Sequence, residues 1–147
     1  SFWCFKQREE LRNYLSVARQ NLRPGGLMIM DMMGGPECLE EGREDVRHMG
    51  KFNYVWEQAR FDPITQDAVF HIHFRFNDGS ELDKAFTYEW RFWSIPEVRE
   101  VLAEAGFSDS HVYWEGADED GDGNGVYRKA RWANSEPAWI AYIVAEK

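Results

Sequence analysis

The run Leu22-Arg23-Pro24-Gly25-Gly26-Leu27-Met28-Ile29-Met30-Asp31 decides how this 147-residue chain is read. Upstream of it, residues 6–23 are patterned as a helix, with Leu11, Tyr14, Leu15, Ala18 and Leu22 spaced along one buried stripe. Glu9 and Glu10 sit near the positive end of that helix. Proline cannot continue a helix and glycine accepts left-handed backbone angles, so Arg23-Pro24-Gly25-Gly26 ends it. The apolar residues from Leu27 to Asp31 then suit a strand covered on both faces, as in a parallel sheet. Met32-Met33-Gly34-Gly35-Pro36 reads as the turn at its C-terminal end. Helix, tight turn and buried strand in this order point to an α/β chain.

Working outward, residues 37–50 are charged and read as a loop or short helix on the surface. Three segments of two-residue period follow. Phe52, Tyr54 and Trp56 share a face of the first; Phe70, Ile72, Phe74 and Phe76 share a face of the second, with His71, His73 and Arg75 opposite. Asn77-Asp78-Gly79-Ser80 is a hairpin signal, and the third segment runs from Glu81 to Trp93. This is an antiparallel meander with aromatics on both faces. One face is expected to pack on the body of the protein and the other to close over a ligand or a partner chain.

Ser94-Ile95-Pro96-Glu97 opens a second helix through a capping box, and Gly106 ends it. A strand around His111–Trp114, an acidic glycine-rich loop from Glu115 to Gly125 and a last strand over 138–145 complete the chain. With no repeats and no linker, residues 1–147 read as one domain in three parts: 1–36, the β insertion 50–93, and 94–147. The fold class is α/β, and α+β within this stretch.

A net charge of -9 disfavours phosphate backbones and anionic lipid, so neither nucleic acid nor membrane is an expected partner. Cys4 and Cys38 make no disulfide framework or zinc pattern, and a reduced, cytoplasmic setting is expected. The chain opens at Ser1 in the aromatic stretch Ser1-Phe2-Trp3-Cys4-Phe5, which leads straight into a helix. Such a start is expected inside a fold, because natural termini are usually polar and frayed.

The ordered set of aromatic opening, helix, Pro-Gly-Gly, apolar strand ending in Asp31, inserted meander, and helix ending Ala105-Gly106-Phe107 before the last strands resembles the second half of the class I S-adenosylmethionine-dependent methyltransferase fold. The resemblance implies that Leu27–Asp31 is the fifth strand of the sheet and that the last strand lies antiparallel beside it. It implies a lid role for residues 50–93. Ser1, Phe2, Trp3 and Phe5 would lie beside the cofactor's methionine end, and Asp31, Met33 and Gly34 at the rim of the active site. The family's glycine-rich loop after its first strand has no counterpart here. Gly121-x-Gly123-x-Gly125 neither follows a long apolar strand nor opens a helix. Roughly 100 residues of a parent protein are therefore expected to be absent, with S-adenosylmethionine binding weak or lost in this stretch alone.

Several side chains are candidates for chemistry. Aromatic walls suit a cationic sulfonium, which singles out Phe2, Trp3, Trp56, Trp90 and Trp93; Tyr54 joins them as a substrate contact. Plain core packing is the competing role for each. His71 and His73, two apart on a strand, project from one face and are candidate bases or metal ligands, with a structural hydrogen-bonded pair and, for His73, a substrate contact as the other readings; Asp31 is a further candidate base. Arg91 between Trp90 and Trp93 could clamp a substrate carboxylate or pair with Glu89 or Glu57. Asp120-x-Asp122-x-Asn124-Gly125 copies the start of a calcium loop but has Arg131 where a glutamate is needed, so no metal is expected.

The expected function is a methyltransferase acting on a small molecule, in a chain that self-associates as a homodimer to cover a raw sheet edge. Two alternatives stand beside it: a β-rich small-ligand binding module, and a cupin-like metalloenzyme using His71 and His73.

Overall fold

A computed structural model describes residues 1–119, 121 and 123–147. The chain folds as two compact units, one of residues 1–6 and 39–92, the other of residues 7–38 and 93–147.

The second unit holds both helices and a four-stranded sheet. Helix α1 spans Arg8–Asn21. The Gln7 amide donates to Glu10 Oε2 at 3.1 Å across its first turn. At its other end the chain's last residue reaches back, and Lys147 Nζ donates to the Leu22 carbonyl at 2.6 Å, a cation on orphan carbonyls. Helix α2 spans Ile95–Glu104 and begins with the expected capping box: the Glu97 amide donates to Ser94 Oγ, and the Ser94 amide to Glu97 Oε2. Gly106, at φ +95°, lets the Phe107 amide return to the Leu102 carbonyl. Leu11, Leu15, Val98, Val101 and Leu102 are fully buried. Each contributes on the order of 1.5–3 kcal/mol of transfer free energy.

The sheet of this unit contains β1 (Leu27–Gly34), β6 (Asp109–Ala117), β7 (Gly123–Ala130) and β8 (Trp139–Glu146) in the order β1-β8-β6-β7. The last strand lies antiparallel beside the Leu27 strand, as the resemblance implies, with Met30 opposite Ile143 and Asp31 opposite Tyr142. Two expectations are corrected. Among the described residues the apolar run pairs with one strand, the antiparallel β8. It is also covered on one face only, because Met30 and Met32 are buried while Leu27 and Ile29 are 50% and 62% exposed. The strand further continues through Gly34, where a turn was read. A further correction concerns the stretch after His111. The acidic segment is not one loop, since β6 runs to Ala117 and β7 starts at Gly123, pairing Val112 with Ala130.

The first unit is a sheet of order β2-β3-β4-β5, with β2 at Arg43–His48, β3 at Phe52–Phe61, β4 at Asp67–Phe76 and β5 at Glu81–Arg91. Its three pairings are antiparallel, so the meander is present. It has one more strand than expected. Of residues 37–50, expected as a loop or short helix on the surface, Pro36–Leu39 does form a short 3-10 helix, but Arg43–His48 is a strand paired with β3, although its polar sequence carries no strand signature. Register supplies what sequence lacks, placing Val46 opposite Val55 and Glu44 within reach of Arg75, whose Nη1 and Nη2 each donate at 2.8 Å.

The β4–β5 ladder is interrupted at one place. Ile72 pairs with Phe86 and Phe74 with Leu82, so His73 alone faces Asp83, Lys84 and Ala85. Lys84 occupies the left-handed region at φ +46°, uncommon for a residue with a side chain.

Candidate functional site

The candidate aromatics fall into separate groups. In the first unit, Trp3 is 1% exposed and Phe2 6%. Their rings stack at 5.0 Å, and Trp3 meets Trp90 at 6.0 Å and Phe92 at 5.4 Å. Trp90 in turn meets Trp56 at 6.0 Å, Phe70 at 5.4 Å and Tyr88 at 4.8 Å. Phe70 and Trp3 are core. Tyr54, Trp56, Tyr88 and Trp90 are half-buried and keep part of their surface on one face of the β3–β5 sheet. Alternation explains the face: Tyr54 lies opposite Phe74, and Phe70 opposite Tyr88. Tyr54 packs edge-on to Phe74, and burial raises its phenol pKa. Ser1 is exposed and Phe5 half-buried.

Arg91 is tied to the opening segment. Its Nη1 donates to the Lys6 carbonyl at 2.8 Å. Lys6 also pairs with Asp67 at 2.9 Å, and Asp67 lies opposite Arg91 in the β4–β5 register. The Lys6 ammonium holds the Asp67 carboxyl below its ordinary range. Arg91 thus anchors Ser1–Lys6 to the sheet, a part not foreseen in its sequence context.

In the second unit, Asp31 is exposed, Met33 half-buried and Gly34 buried. Gly34 has a packing reason to be glycine: a Cβ there would stand 2.2 Å from Cζ2 of Trp139. Gly35 has φ +100°, and a Cβ on it would meet the Pro137 carbonyl oxygen at 2.3 Å. Trp93 is 2% exposed and belongs to this unit's core, while Trp90 and Arg91 belong to the other unit.

The two histidines share a face, with ring centroids 6.1 Å apart, but they answer to different partners. His71 Nδ1 meets Thr87 Oγ1 at 2.9 Å. His73 is buried; its Nε2 meets Glu57 Oε2 at 2.9 Å and its Nδ1 meets Asp83 Oδ1 at 2.5 Å. Nothing in the sequence around Glu57 or Asp83 signals that either meets His73. The bulge that aims Asp83 at the ring has no local sequence signal beyond its hairpin position.

A further feature passed unnoticed in the sequence is a cleft of about 470 Å³ between α2, β6 and β7, lined by Arg99, Trp114, Lys129, Arg131 and Trp132 among others. Arg99 there donates to Ser110 Oγ at 3.1 Å and to the Ser110 carbonyl at 3.0 Å. The calcium-loop resemblance falls partly on Asp120 and Asp122, which lie outside the described residues. Gly34 and Gly35 lead from β1 into a short 3-10 turn at Pro36–Leu39. Among the described residues no helix is long and apolar enough to cross a membrane.

The last strand thus lies antiparallel between the Leu27–Gly34 strand and β6. No family model and no curated protein matches the chain by sequence. Solved structures do match by shape. The CcbJ methyltransferase of Streptomyces caelestis superposes with a TM-score of 0.61 at 17% identity, covering 97% of this chain and 52% of that one. An S-adenosylmethionine-dependent methyltransferase from Clostridium acetobutylicum gives 0.62 at 18% identity, over 99% and 54%. An amino pentose methyltransferase of calicheamicin biosynthesis from Micromonospora echinaspora, solved with S-adenosylmethionine bound, gives 0.56 at 14% identity, over 99% and 53%. The chain therefore spans about half the length of the structures it resembles, and the likeness is one of fold.

Proposed function

We propose that this chain is part of an S-adenosylmethionine-dependent methyltransferase acting on a small molecule, and that it carries substrate-side residues in place of the cofactor's main cradle. The observation that carries this reading is the fold likeness to such enzymes along 97–99% of the chain. S-adenosylmethionine would supply the methyl group. What the protein must add is alignment and exclusion of water. Tyr54, Trp56, Tyr88 and Trp90, rigid rings backed by the buried Phe70 and Trp3, offer an apolar wall for that task. One neighbour acts on an amino pentose, so amino sugars are the first acceptors to try.

The test is to express the chain together with the reading frame upstream of Ser1 and follow S-adenosylhomocysteine release with a panel of amino sugars and small amines. Cofactor binding is measured in parallel on the 147 residues alone. Turnover by the longer protein with little binding by the shorter one is expected. A longer protein that neither binds S-adenosylmethionine nor turns over would remove the reading; micromolar binding by the 147 residues would remove the part about the cradle.

The proposal includes a homodimer in a cytoplasmic setting. The β1 edge offers unpaired strand hydrogen-bonding positions next to exposed Leu27 and Ile29. A monomer by light scattering at high concentration would count against it.

A further inference from the structure

The polar face of the β2–β5 sheet is built as two interlocked ion networks. Glu44 and Glu57 lie directly opposite each other on β2 and β3, a repulsive placement unless each has its own positive partner. Arg75 serves Glu44 bidentately and also donates from Nε to Glu81 Oε1 at 3.0 Å. That leaves the second network, Glu57, His73 and Asp83, to be balanced at the imidazole.

Its balance is incomplete as drawn by hydrogen bonds. His73 Nε2 faces Glu57 Oε2 at 2.9 Å, a contact that a ring proton on Nε2 would satisfy. The amide of Lys84 donates to the Nδ1 lone pair at 3.1 Å, a bond that an ion held by Nδ1 would replace. Asp83 Oδ1 nevertheless stands 2.5 Å from that same Nδ1. Two lone pairs held that close repel unless a positive charge lies between or beside them. The backbone maintains the approach at a cost, through the bulge and the left-handed Lys84.

We propose that His73 Nδ1, Asp83 and Glu81 form a binding site for a divalent metal ion of the zinc type. The three groups can bring ligand atoms within 4.8 Å of one another. Imidazole nitrogen with two carboxylates is a donor set that Zn²⁺ accepts, at about 2.0–2.2 Å per bond, which spaces neighbouring ligand atoms roughly 3.3 Å apart. Asp83 needs to draw back by less than about 1 Å to fit that spacing, and its side chain is 68% exposed and able to do so. Glu81 can keep Oε1 on Arg75 and offer its other oxygen. Glu57 takes the positioning role, receiving the remaining ring N–H of a ligating histidine, which fixes the tautomer. This site differs from a pairing of His71 with His73, since His71 is turned to Thr87. It does not depend on the methyltransferase reading.

The experiment titrates EDTA-treated protein with ZnCl₂ by calorimetry, and with CoCl₂ by visible absorption, which reports coordination directly. About one equivalent is expected to bind in the micromolar range or tighter, with the ¹⁵N resonance of His73 Nδ1 shifting on Zn²⁺ addition. Asp83→Asn and Glu81→Gln, both at exposed positions and expected to fold, should each weaken binding at least tenfold. Glu57→Gln should weaken it about 10–100-fold without removing a ligand. His73→Gln should abolish it; if that variant fails to fold, the carboxylate variants decide. Absence of saturable Zn²⁺ binding below about 1 mM, binding unchanged in both carboxylate variants, or a His73 Nδ1 resonance that is protonated and indifferent to Zn²⁺ would overturn the proposal in favour of a bound proton.

Discussion

The ring of Trp139 occupies the space that any side chain on Gly34 would need: a Cβ built there falls 2.2 Å from Cζ2 and 2.7 Å from Cε2. The two residues pair across β1 and β8, and Trp139 packs at 4.9 Å on Trp114. A glycine that sequence placed at an active-site rim therefore has a structural duty.

Gly34→Ala should destabilise the protein by about 1–3 kcal/mol, the usual cost of forcing a methyl into a filled space. Urea denaturation measures it. Gly34→Ala should cost less in a Trp139→Ala background than in the parent, because the ring that its methyl would meet is gone. An unchanged midpoint in Gly34→Ala would show that the ring moves aside freely.

Trp3 separates core from ligand roles. It is 1% exposed and touches Phe2, Trp90 and Phe92, so Trp3→Ala should cost about 3–5 kcal/mol. Trp3→Phe should retain much of the fold. If Trp3→Ala were as stable as the parent and altered only cofactor or substrate binding, Trp3 would belong to the site rather than the core.

The Lys6–Asp67 pair ties the opening segment to the sheet, and its pH dependence has a definite sign. Asp67 has a lowered carboxyl pKa, chiefly through its hydrogen bond to Lys6. Its contribution is present above the ordinary carboxylate pKa and is lost as pH falls through the depressed one. Because both side chains are more than one-third exposed, the effect is small and weakened by salt. Asp67→Asn should fall less steeply in stability between pH 5 and pH 3 than the parent, by chemical denaturation at low ionic strength. Parallel curves would rule the pair out as a contributor.

Tyr127 is pushed up to about 12, by burial first and then by Glu115. The unfolded phenol ionises near 10, so the folded state holds its proton longer. Stability from this source is complete below about pH 10 and declines as pH rises toward 12. Absorbance titration at 295 nm should contain a late-ionising component that Tyr127→Phe removes. Loss of an early component instead would show a phenol with ordinary surroundings.

Local physics was readable along the chain. The Ser94–Glu97 box and Gly106 bound α2 because capping acts over a single turn. Pro24 and Gly25 end the α1 segment for the same reason. The period of two in Phe70–Phe76 and the hairpin signal at Asn77–Ser80 marked β4, β5 and the turn between them, while a bulge at His73 set the register of their aromatic residues. From those pieces the order of elements, and with it the resemblance to methyltransferases, could be read before any coordinates.

What tertiary structure alone decided lies wherever a partner distant in sequence sets the outcome. The polar segment Arg43–His48 is a strand because β3 pairs with it and Arg75 neutralises Glu44, neither of which its own residues announce. Leu27–Gly34 reads as doubly covered because apolarity is local, whereas the number of covered faces depends on what packs there. His73 meets Glu57, 16 residues away, and Asp83, 10 away, through register and a bulge. Backbone propensity is a property of a few neighbouring residues; charge pairing, ring contact and the room left beside a glycine are properties of the folded whole.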